Sequence, residues 1–556
     1  MYPPTDAVTE KQEERRTKNL KIVNAKHRIF DGISSDGPTV NLMKQPVGPS
    51  INCEPMCLLA IRVIIPLYVL FVFRMIGCAN EPPVISNVRV SVNMSQSVVT
   101  VSYDVSDLED DKLRIACNLS DNDGETFLYP ATNITGGVGY PVGAGTGKSV
   151  HWSFNPALVD LRPASRPAFR LKLVADDLQP VSIPDVLDGV STARLSADLQ
   201  TIDGPRNPNS IQHAAVKNLL LTRFANLGLK TREAVHPTGG TNVIGRLPGL
   251  RDEATTFIIG AHYDTVPGSP GADDNGSGVA GILEAARILS QTCFERTLVF
   301  IGFDNEELGL LGSGAYVQTQ RPSYEQIGGV LNFEMTGFWS DVPNSQTLPS
   351  GFNLLFPDFY ASVISQGSRG NFIASLANTS SGPLRSVFDS ATATHVPALR
   401  CLSLAVSGNG EIAPDLRRSD HAPFWDAGYQ ALMLTDTAEF RNTNYHKASD
   451  TRGTLNLEFM ANVLKATAAT AMQLAGPLHA GVAVTDRVVA DVRLRITFEN
   501  AGTVRIEWDN PGVGMVLQRT HSLESALWQD VQGSEATNSI NITVGASSGF
   551  FRLTQH

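Results

Sequence analysis

Short apolar runs, each followed by a polar or glycine-rich turn, dominate the middle of the sequence between about Ser182 and Leu478. These runs are Thr256–Ala261, Thr297–Phe303, Gly329–Phe333 and Ala431–Thr435. Helical patterns lie between them, for example at Asn209–Leu227 and Gly278–Leu289. A strand that is apolar along its whole length is buried on both faces, which is typical of parallel sheets covered by helices. The sequence therefore predicts an α/β domain at residues 182–478, with a mixed, largely parallel central sheet flanked by helices.

Strand patterns of another kind lie on both sides of this domain. Apolar and polar residues alternate at Val84–Val92 and again at Val492–Phe498. Alternation with a period of two indicates strands that are buried on one face only, and the Asp, Asn and Gly turns between them favour antiparallel pairing. We therefore predict small all-β sandwich modules at residues 82–178 and 484–556. The first resembles the fibronectin-like modules that are common in bacterial surface proteins.

The first 78 residues differ in composition from the rest of the chain. Residues 1–55 are polar and have little periodicity, which predicts a disordered segment or an extension that the mature protein lacks. The apolar run at Val63–Phe73 has the length of a signal-peptide core, and Met75–Cys78 resembles the lipobox of bacterial lipoproteins. We expect residues 56–78 to be a signal peptide with this lipobox-like end, or an uncleaved signal anchor. The chain would then be extracytoplasmic (secreted, periplasmic or an envelope lipoprotein), and this segment or a lipidated Cys78 would attach it to a membrane.

Charge and cysteine content exclude some classes of function. The 556 residues carry a formal net charge of −11 at pH 7. Because phosphate backbones are bound by clustered Lys and Arg, this charge argues against nucleic acid as a partner. The six cysteines include no Cys-x-x-Cys pair, which argues against a zinc ribbon and against a disulfide-stapled scaffold.

Residues that can bind a metal follow the first predicted strand. His262 and Asp264 come directly after it, and side chains two residues apart in a strand point the same way, so Asp264 can orient the imidazole of His262. Asp274 lies in the glycine-rich string Gly271–Gly278, at the start of a predicted helix, where its carboxylate could bridge two cations. The structural alternatives are a core histidine in the first case and a helix N-cap in the second.

More acids and a second histidine follow the later strands. Glu306 and Glu307 follow the second run, Glu334 follows the third, and Tyr445 and His446 come after the last. Neighbouring glutamates repel each other at a bare strand end, whereas beside a cation one can bind the metal and the other can take a proton from water. An exposed acidic first turn of a helix is the structural alternative. Because ligands bind at the carboxyl ends of strands in open α/β sheets, the whole set predicts two zinc ions that share one carboxylate.

These motifs, in this order, resemble those of the double-zinc aminopeptidases, whose relatives include glutamate carboxypeptidases and glutaminyl cyclases. The resemblance covers about Ser182–Leu478 and rests on GAHYDTV, GADDNGSG, DNEELGLLGS, NFEMTG, SDHAPF and NYHKASDT. It implies the zinc exopeptidase fold and a centre of two zinc ions per chain. In that centre Asp274 would bridge the metals, His262 and Glu334 would complete one site, and Glu307 and His446 would complete the other.

The resemblance also implies what the neighbouring residues do. The roles are general base for Glu306, polarisation of the substrate carbonyl for Tyr445, and support of the ligands for Asp264 and Asp420. The peptide bond between Asp274 and Asn275 is expected to be cis. One departure is that most relatives have Asp where this chain has Glu334. A glutamate can still bind zinc, but its extra methylene changes where the carboxylate lies.

The implied activity is hydrolysis of the N-terminal peptide bond of a peptide, through a metal-activated water with Glu306 as general base. The acidic cluster would attract the free N-terminus of the substrate. A carboxypeptidase is an alternative, since Arg417 and Arg418 could bind a terminal carboxylate. A glutaminyl cyclase is another, although such enzymes use one zinc and both ligand sets are present here. A non-catalytic surface-binding protein is the third alternative, and the presence of Glu306 and all the ligands argues against it.

Overall fold

The computed structural model describes residues 80–161, 168–489, 494–500, 503–508, 515–520, 527–534, 539–543 and 550–555. The predicted extension at 1–55, the predicted signal segment at 56–78 and Cys78 lie outside these ranges, so their roles stay predictions. Within the described ranges, none of the helices combines the length and the hydropathy that spanning a lipid bilayer requires.

The elements are numbered along the chain. The first strands are β1 (Val84–Asn93), β2 (Val98–Ser106), β3 (Leu113–Ser120), β4 (Tyr129–Pro130), β5 (Ile134–Gly136), β6 (Gly139–Val142), β7 (Gly145–Ser153) and β8 (Arg170–Asp176). The middle strands are β9 (Lys230–Val235), β10 (Thr241–Leu247), β11 (Asp252–His262), β12 (Cys293–Phe294), β13 (Arg296–Phe303), β14 (Gln326–Phe333), β15 (Ile373–Ala377), β16 (Cys401–Ala405) and β17 (Ala431–Thr435). The last are β18 (Pro477–Leu478), β19 (Ala480–Val484), β20 (Leu494–Asn500), β21 (Thr503–Trp508), β22 (Met515–Thr520), β23 (Gln529–Asp530), β24 (Ser539–Thr543) and β25 (Phe550–Gln555). The α-helices are α1 (Ile183–Asp188), α2 (Thr192–Ile202), α3 (Ile211–Asn226), α4 (Gly276–Leu289), α5 (Leu311–Ala315), α6 (Phe352–Leu355), α7 (Pro357–Ser365), α8 (Gly382–His395), α9 (Ala422–Asp426) and α10 (Leu457–Ala475).

An eight-stranded sheet lies at the centre, in the order β16-β15-β17-β14-β11-β13-β10-β9. β11 pairs in parallel with β13 and β14, and β14 pairs in parallel with β17. β10 is antiparallel to both of its neighbours, as is β15 to β17. The prediction of a mixed, largely parallel sheet flanked by helices is confirmed.

Helices cover both faces of this sheet, which explains the continuous apolar runs. One face packs against α2, α3, α4, α8 and α10, and Ile259 and Phe300 belong to that core. Their neighbours Ile258 and Val299 point the opposite way, into a second core with α6, α7 and α9. Each such fully buried side chain contributes about 1.5–3 kcal/mol to folding through removal of apolar surface from water. If apolar and polar residues alternated along these strands, one face of the sheet would be polar and the helices on that face would have no core to pack against.

The N-terminal β-sandwich is completed by a strand that follows the central domain. Its two sheets have the orders β1-β2-β7-β5 and β19-β8-β3-β4. β19 pairs antiparallel with β8, with Val482 opposite Val174. The core between the two sheets contains Val101, Trp152 and Leu173. One sheet of the sandwich is therefore completed by residues that lie about three hundred positions after β8. The predicted domain boundaries themselves stay predictions.

The described C-terminal residues form two three-stranded sheets. Their orders are β20-β21-β24 and β23-β22-β25. Ile506, Trp508 and Leu517 are among the buried side chains of this small core. These residues show that the alternating pattern near the C-terminus corresponds to antiparallel strands.

The N-terminal sandwich lies against the amino ends of the central strands. Lys172 Nζ donates to the carbonyl of Gly249 at 3.2 Å, and Arg251 forms a salt bridge with Asp176. The backbone N–H of Phe127 donates to Glu253 at 2.9 Å. We call the charged residues at this edge the amino-end rim: Lys172, Asp176, Arg246, Arg251, Glu253 and Glu325. The opposite edge, where the carboxyl ends of the strands lie, is not covered by these contacts.

Candidate metal centre

Six side chains that can bind a metal meet at the carboxyl ends of the central strands. They form two groups of three, and within each group the ligand atoms lie within 4.8 Å of one another. The first group is His262, Glu306 and Glu334, and the second is Asp274, Glu307 and His446. We call these six residues the carboxyl-end rim. All five predicted metal ligands and the predicted general base are thus brought together.

Asp274 lies between the two groups. Its Oδ1 atom is 3.4 Å from His262 Nε2, and its Oδ2 atom is 3.0 Å from His446 Nε2. Each histidine has a second carboxylate nearby: Glu334 Oε2 is 3.5 Å from His262 Nε2, and Glu307 Oε2 is 3.3 Å from His446 Nε2. The grouping is the one expected for two cations that share a single carboxylate.

The glycine-rich string before α4 gives Asp274 its position. The peptide bond between Asp274 and Asn275 is cis, as expected, and the side chain of Asn275 caps α4 by accepting from the N–H of Gly278 at 3.0 Å. Gly271 has a φ of +60°, and a Cβ there would lie 2.3 Å from the carbonyl oxygen of Asp274. The glycine is therefore needed for the close approach of the two backbone segments.

Asp264 supports the centre in two ways. One of its carboxylate oxygens lies 3.5 Å from Nδ1 of His262, consistent with the predicted orienting contact. The same carboxylate also accepts from the backbone N–H groups of Glu306, at 3.1 Å, and Glu307, at 3.2 Å. Asp264 therefore fixes the loop of the two glutamates as well as the first histidine, and sequence reasoning had not indicated this second contact.

Several polar atoms of the centre are buried and lack a hydrogen bond. Among the described residues, neither ring nitrogen of His262 has a hydrogen-bond partner, and the same holds for Glu307 Oε1. His262 is 1% exposed, so bulk solvent does not reach these atoms. A buried imidazole nitrogen that faces two carboxylates without bonding to either is what a divalent cation between them would satisfy. The nitrogen and oxygen ligands present therefore fit a metal such as zinc.

The surroundings of Glu306 shift the pKa of its carboxyl group. Burial raises the pKa of Glu306 well above its usual range, and Glu334 and Asp420 raise it further, although His262 opposes them. Asp420 is itself fully buried, and burial raises its pKa to about 7. Asp420, predicted to support the ligands, thus acts on the general-base candidate through charge.

The two histidines respond to the carboxylates around them. Burial lowers the pKa of His446, but hydrogen bonds with Asp274 and Glu307 outweigh it and raise the pKa to about 10. For Asp274, the nearby imidazoles of His262 and His446 outweigh burial and lower the pKa. In the metal-free protein the carboxylates thus favour protons on both imidazoles. Metal binding would release those protons.

Tyr445 lies beside the second histidine. Its ring stacks on that of His446, with the centroids 3.8 Å apart, and its hydroxyl accepts from Arg418 Nη2 at 3.1 Å. Arg418 in turn forms a salt bridge with Glu439. The phenol is thus held at the edge of the centre, where a substrate carbonyl could reach it.

Two residues that sequence reasoning left without a role fix the backbone around Asp274. Asp450 accepts from the backbone N–H groups of Asp273, at 3.0 Å, and Asp274, at 3.1 Å. Arg206 is fully buried and donates to the carbonyls of Pro270 and Gly271, among others. Asp450 belongs to the NYHKASDT motif, which was a usable signal. Arg206 binds only backbone carbonyls here, and nothing in the sequence marks such a contact.

Comparison with known proteins finds similarity over the residues that form this centre. Residues 242–471 match the model described as Peptidase family M28. The chain is 33% identical over 224 residues to the uncharacterized protein YfbL of Escherichia coli (strain K12), which covers 37% of this chain and 64% of that protein. It is 36% identical over 124 residues to leucine aminopeptidase 1 of Grosmannia clavigera, over 20% of this chain and 30% of that protein. This chain thus spans less than two thirds of the length of each of these two relatives. The structure of the Legionella pneumophila LapA aminopeptidase matches with 23% identity and a TM-score of 0.42, over 54% of this chain and 78% of that one.

Proposed function

Because residues 242–471 match the model described as Peptidase family M28, we propose that this protein is a zinc-dependent exopeptidase that hydrolyses the N-terminal peptide bond of peptides. The observation that carries the proposal is the position of Asp274. Its two oxygens face two histidines, and each histidine has its own second carboxylate.

Two zinc ions would be held by the five ligands. One would be bound by His262 and Glu334, the other by Glu307 and His446, with Asp274 shared between them. When bound, the metals would supply Lewis-acid chemistry, which lowers the pKa of water and polarises a carbonyl.

The proton would be handled by Glu306. Its carboxylate would accept a proton from the attacking water and pass it to the amine that leaves. The carboxylate of Asp264 accepts a hydrogen bond from the backbone N–H of Glu306, which fixes the position of this general base. Tyr445 would donate a hydrogen bond to the carbonyl oxygen of the substrate, where negative charge develops.

A cavity beside the centre supports a preference for an apolar first residue. It has a volume of about 630 Å³, including its open mouth, and Glu334 and Tyr445 line it on the side of the centre. Its other lining residues include Leu348, Phe352 and Met433. The acids at the mouth would attract the free amine of the substrate, and the apolar wall would take its first side chain. The name of leucine aminopeptidase 1 agrees with this preference.

The alternative activities have less support. A carboxypeptidase needs a free cation for the terminal carboxylate, but Arg417 forms a bidentate salt bridge with Asp426 at 2.7 and 2.9 Å, and Arg418 pairs with Glu439. A glutaminyl cyclase would use a single zinc, whereas both ligand groups are present here.

The test is hydrolysis of leucine p-nitroanilide by the full chain, with and without a chelator. We expect chelation to abolish release of nitroaniline and added zinc to restore it. Glu306→Gln should keep two zinc ions and lose turnover by about 10²–10⁴-fold, the usual contribution of a general base. Glu458→Gln, at an exposed position in the first turn of α10, is the control and should keep full activity. Release that persists in chelator, or in Glu306→Gln, would count against the proposal.

A further inference from the structure

A second cavity opens at the same edge of the central sheet as the metal centre. It has a volume of about 1200 Å³, including its open side, and Thr238, in the turn between β9 and β10, lines it. The backbone N–H of Thr241, at the start of β10, donates to Asp304 Oδ2 at 2.7 Å. Because Asp304 directly follows β13, this turn lies at the carboxyl ends of the central strands.

The two cavities lie on opposite sides of the metal centre. The first cavity, beside Glu334 and Tyr445, is also lined by Leu404 on β16 and Met433 on β17. The strands β14, β11 and β13, which carry ligands of the centre, come next in the sheet, and β10 and β9, beside the second cavity, come last. Val317, which lines the second cavity, packs into the same core as Met433, so both cavities lie on one face of the sheet.

The second cavity begins within one turn of Glu306. The backbone N–H groups of Gly309 and Leu310, which both line the cavity, donate to the carbonyl of Glu306 at 2.8 Å. Because the general base gives its proton to the amine that leaves, the leaving part of the substrate must pass Glu306. An extended peptide advances about 3.3–3.6 Å per residue, so the two residues after the cleaved bond span about 7 Å. With the first side chain of the peptide in the first cavity, that direction leads to the second.

The wall of the second cavity is mostly apolar and has a fixed shape. Leu310, Leu311 and Val317 line it with half-buried side chains. In the turn between β9 and β10, Thr238 Oγ1 and His236 Nδ1 lie 2.6 Å apart, and this contact fixes the turn. A preformed apolar wall is typical of a site that binds apolar side chains, because little conformational freedom is lost when they bind.

The ionisable groups that line this cavity are neutral or paired. Asp426 is paired with Arg417 in the bidentate salt bridge described above. Burial lowers the pKa of His236, although Asp304 and Asp264 oppose this, so its imidazole is neutral near pH 7. The described lining residues include no other ionisable side chain. A charged side chain of the substrate would therefore gain no partner here, whereas an apolar one would remove its surface from water.

We propose that the second cavity binds the leaving part of the peptide and selects apolar side chains at the second and third residues of the substrate. The two cavities then hold one peptide across the centre, on either side of the cleaved bond. The proposal rests on the proposed function and deepens it, because it names the substrates as peptides of at least three residues that are apolar at these positions. A surface depression that binds nothing predicts that the second and third residues do not affect hydrolysis.

The first experiment compares substrates that share leucine as their first residue. Initial rates of leucine release by the zinc-loaded full chain are measured for Leu-Leu-Leu, for Leu-Gly-Gly and for leucinamide, which has no second residue. We expect kcat/KM for Leu-Leu-Leu to exceed that for Leu-Gly-Gly by about 10-fold or more, the usual effect of filling an apolar pocket. Leu311→Gln should remove most of this preference. Leu108→Gln, at a leucine of the sandwich that is 84% exposed, is the matched control and should keep it.

A second variant is designed to gain a preference. Gln318 lines the cavity and is exposed. Gln318→Glu places a negative charge there, so the ratio of kcat/KM for Leu-Lys-Lys to that for Leu-Leu-Leu should rise by up to about 5-fold, as expected for a new exposed ion pair. Gln291→Glu, at an exposed glutamine outside this cavity, is the control and should leave the ratio unchanged. Because damage to the fold lowers both rates equally, a rise in the ratio reports contact with the substrate.

The outcomes separate this proposal from the proposed function. Loss of the preference in Leu311→Gln, together with the shift towards lysine in Gln318→Glu, would support the second cavity as a binding site. Hydrolysis of leucinamide without any preference for Leu-Leu-Leu, or with a preference that both variants leave unchanged, would overturn that role and leave the aminopeptidase proposal intact. A zinc-loaded chain that hydrolyses none of these substrates would count against both.

Discussion

The two edges of the central sheet both bury charged side chains, but only one edge neutralises them. At the amino-end rim, Glu325 lies 2.5 Å from Arg246, and both side chains are buried. Lys172 has Glu253 at 3.9 Å and a carbonyl at 3.2 Å. At the carboxyl-end rim, four carboxylates surround two histidines, and His262 has no hydrogen-bond partner for either nitrogen among the described residues.

The difference shows how a functional cluster can be distinguished from a structural one. Burying a charge is costly unless it is paired. The amino-end rim meets this cost within the protein, so its charges serve to join the sandwich to the central domain. The carboxyl-end rim does not meet this cost, because it has more carboxylates than histidines. A bound metal would supply the additional positive charge. Burial is similar at both edges, but the balance of charge differs. The amino-end rim pairs three cations with three carboxylates, whereas the carboxyl-end rim sets two histidines against four carboxylates.

The largest effect on stability is expected from breaking a pair at the amino-end rim. Glu325→Gln would leave Arg246 buried without a counter-charge, which typically costs about 3–5 kcal/mol in the free energy of unfolding. Urea denaturation measures that loss, and hydrolysis by the folded fraction should be unchanged. The control is Glu295→Gln, which removes the partner of Arg296 in a more exposed pair at 3.5 Å and should cost under about 1 kcal/mol. Similar losses for both variants would remove the contrast on which the comparison depends.

A smaller effect is expected from the pH dependence of the amino-end rim. Burial lowers the pKa of Lys172 to about 8 from an ordinary value of 10.5, although Glu253 opposes this. Between these two values the unfolded chain keeps a proton that the folded protein has lost, so the free energy of unfolding rises with pH, by about 3 kcal/mol in total. Below about pH 8 both states hold the proton and the contribution is constant. Lys172→Met should lack this rise, and parallel curves for the two proteins would show that the lysine is not desolvated.

The smallest expected effect is a gain in stability, whereas Glu325→Gln is expected to cause a loss. Burial raises the pKa of Glu307, and Asp274 raises it further, so its charge is unfavourable in the metal-free protein. Glu307→Gln should therefore increase the free energy of unfolding in chelator by up to about 1 kcal/mol. With excess zinc the same variant should be less stable than the native protein, because a ligand is lost. Denaturation under both conditions tests this reversal, and a decrease in chelator would mean that the contact of Glu307 with His446 outweighs the cost of burying its charge.

The core of the fold could be predicted because its signal is local. A run such as Thr297–Phe303 is apolar throughout since both of its faces meet helices, and this is visible without knowing the neighbours. By contrast, the edge strand β9 (Lys230–Val235) is mostly polar, and its residue pattern does not predict a strand. The pairing of β19 with β8 joins residues far apart in the chain, so no local pattern could indicate it.

The residues of the candidate centre also fall into those that the sequence indicated and those that it did not. Side chains such as His262 and His446 belong to motifs whose residue types suggest metal binding. The contacts of Asp450 and Arg206 are with backbone N–H groups and carbonyls, which every residue has. Asp450 was still marked by its place in the NYHKASDT motif, whereas nothing in the sequence indicated Arg206. The bond from Ser419 to Glu334 depends on the approach of two loops and was equally hidden.

The position of β19, long after the other strands of the sandwich in the chain, has a consequence for folding during translation. When β8 leaves the ribosome, the edge that β19 will occupy is bare, and about three hundred residues must still be translated. At about 5–20 residues per second, that interval lasts roughly 15–60 seconds. A bare edge can pair with a strand of another chain. The nascent sandwich is thus open to misassembly until the central domain and β19 have been made.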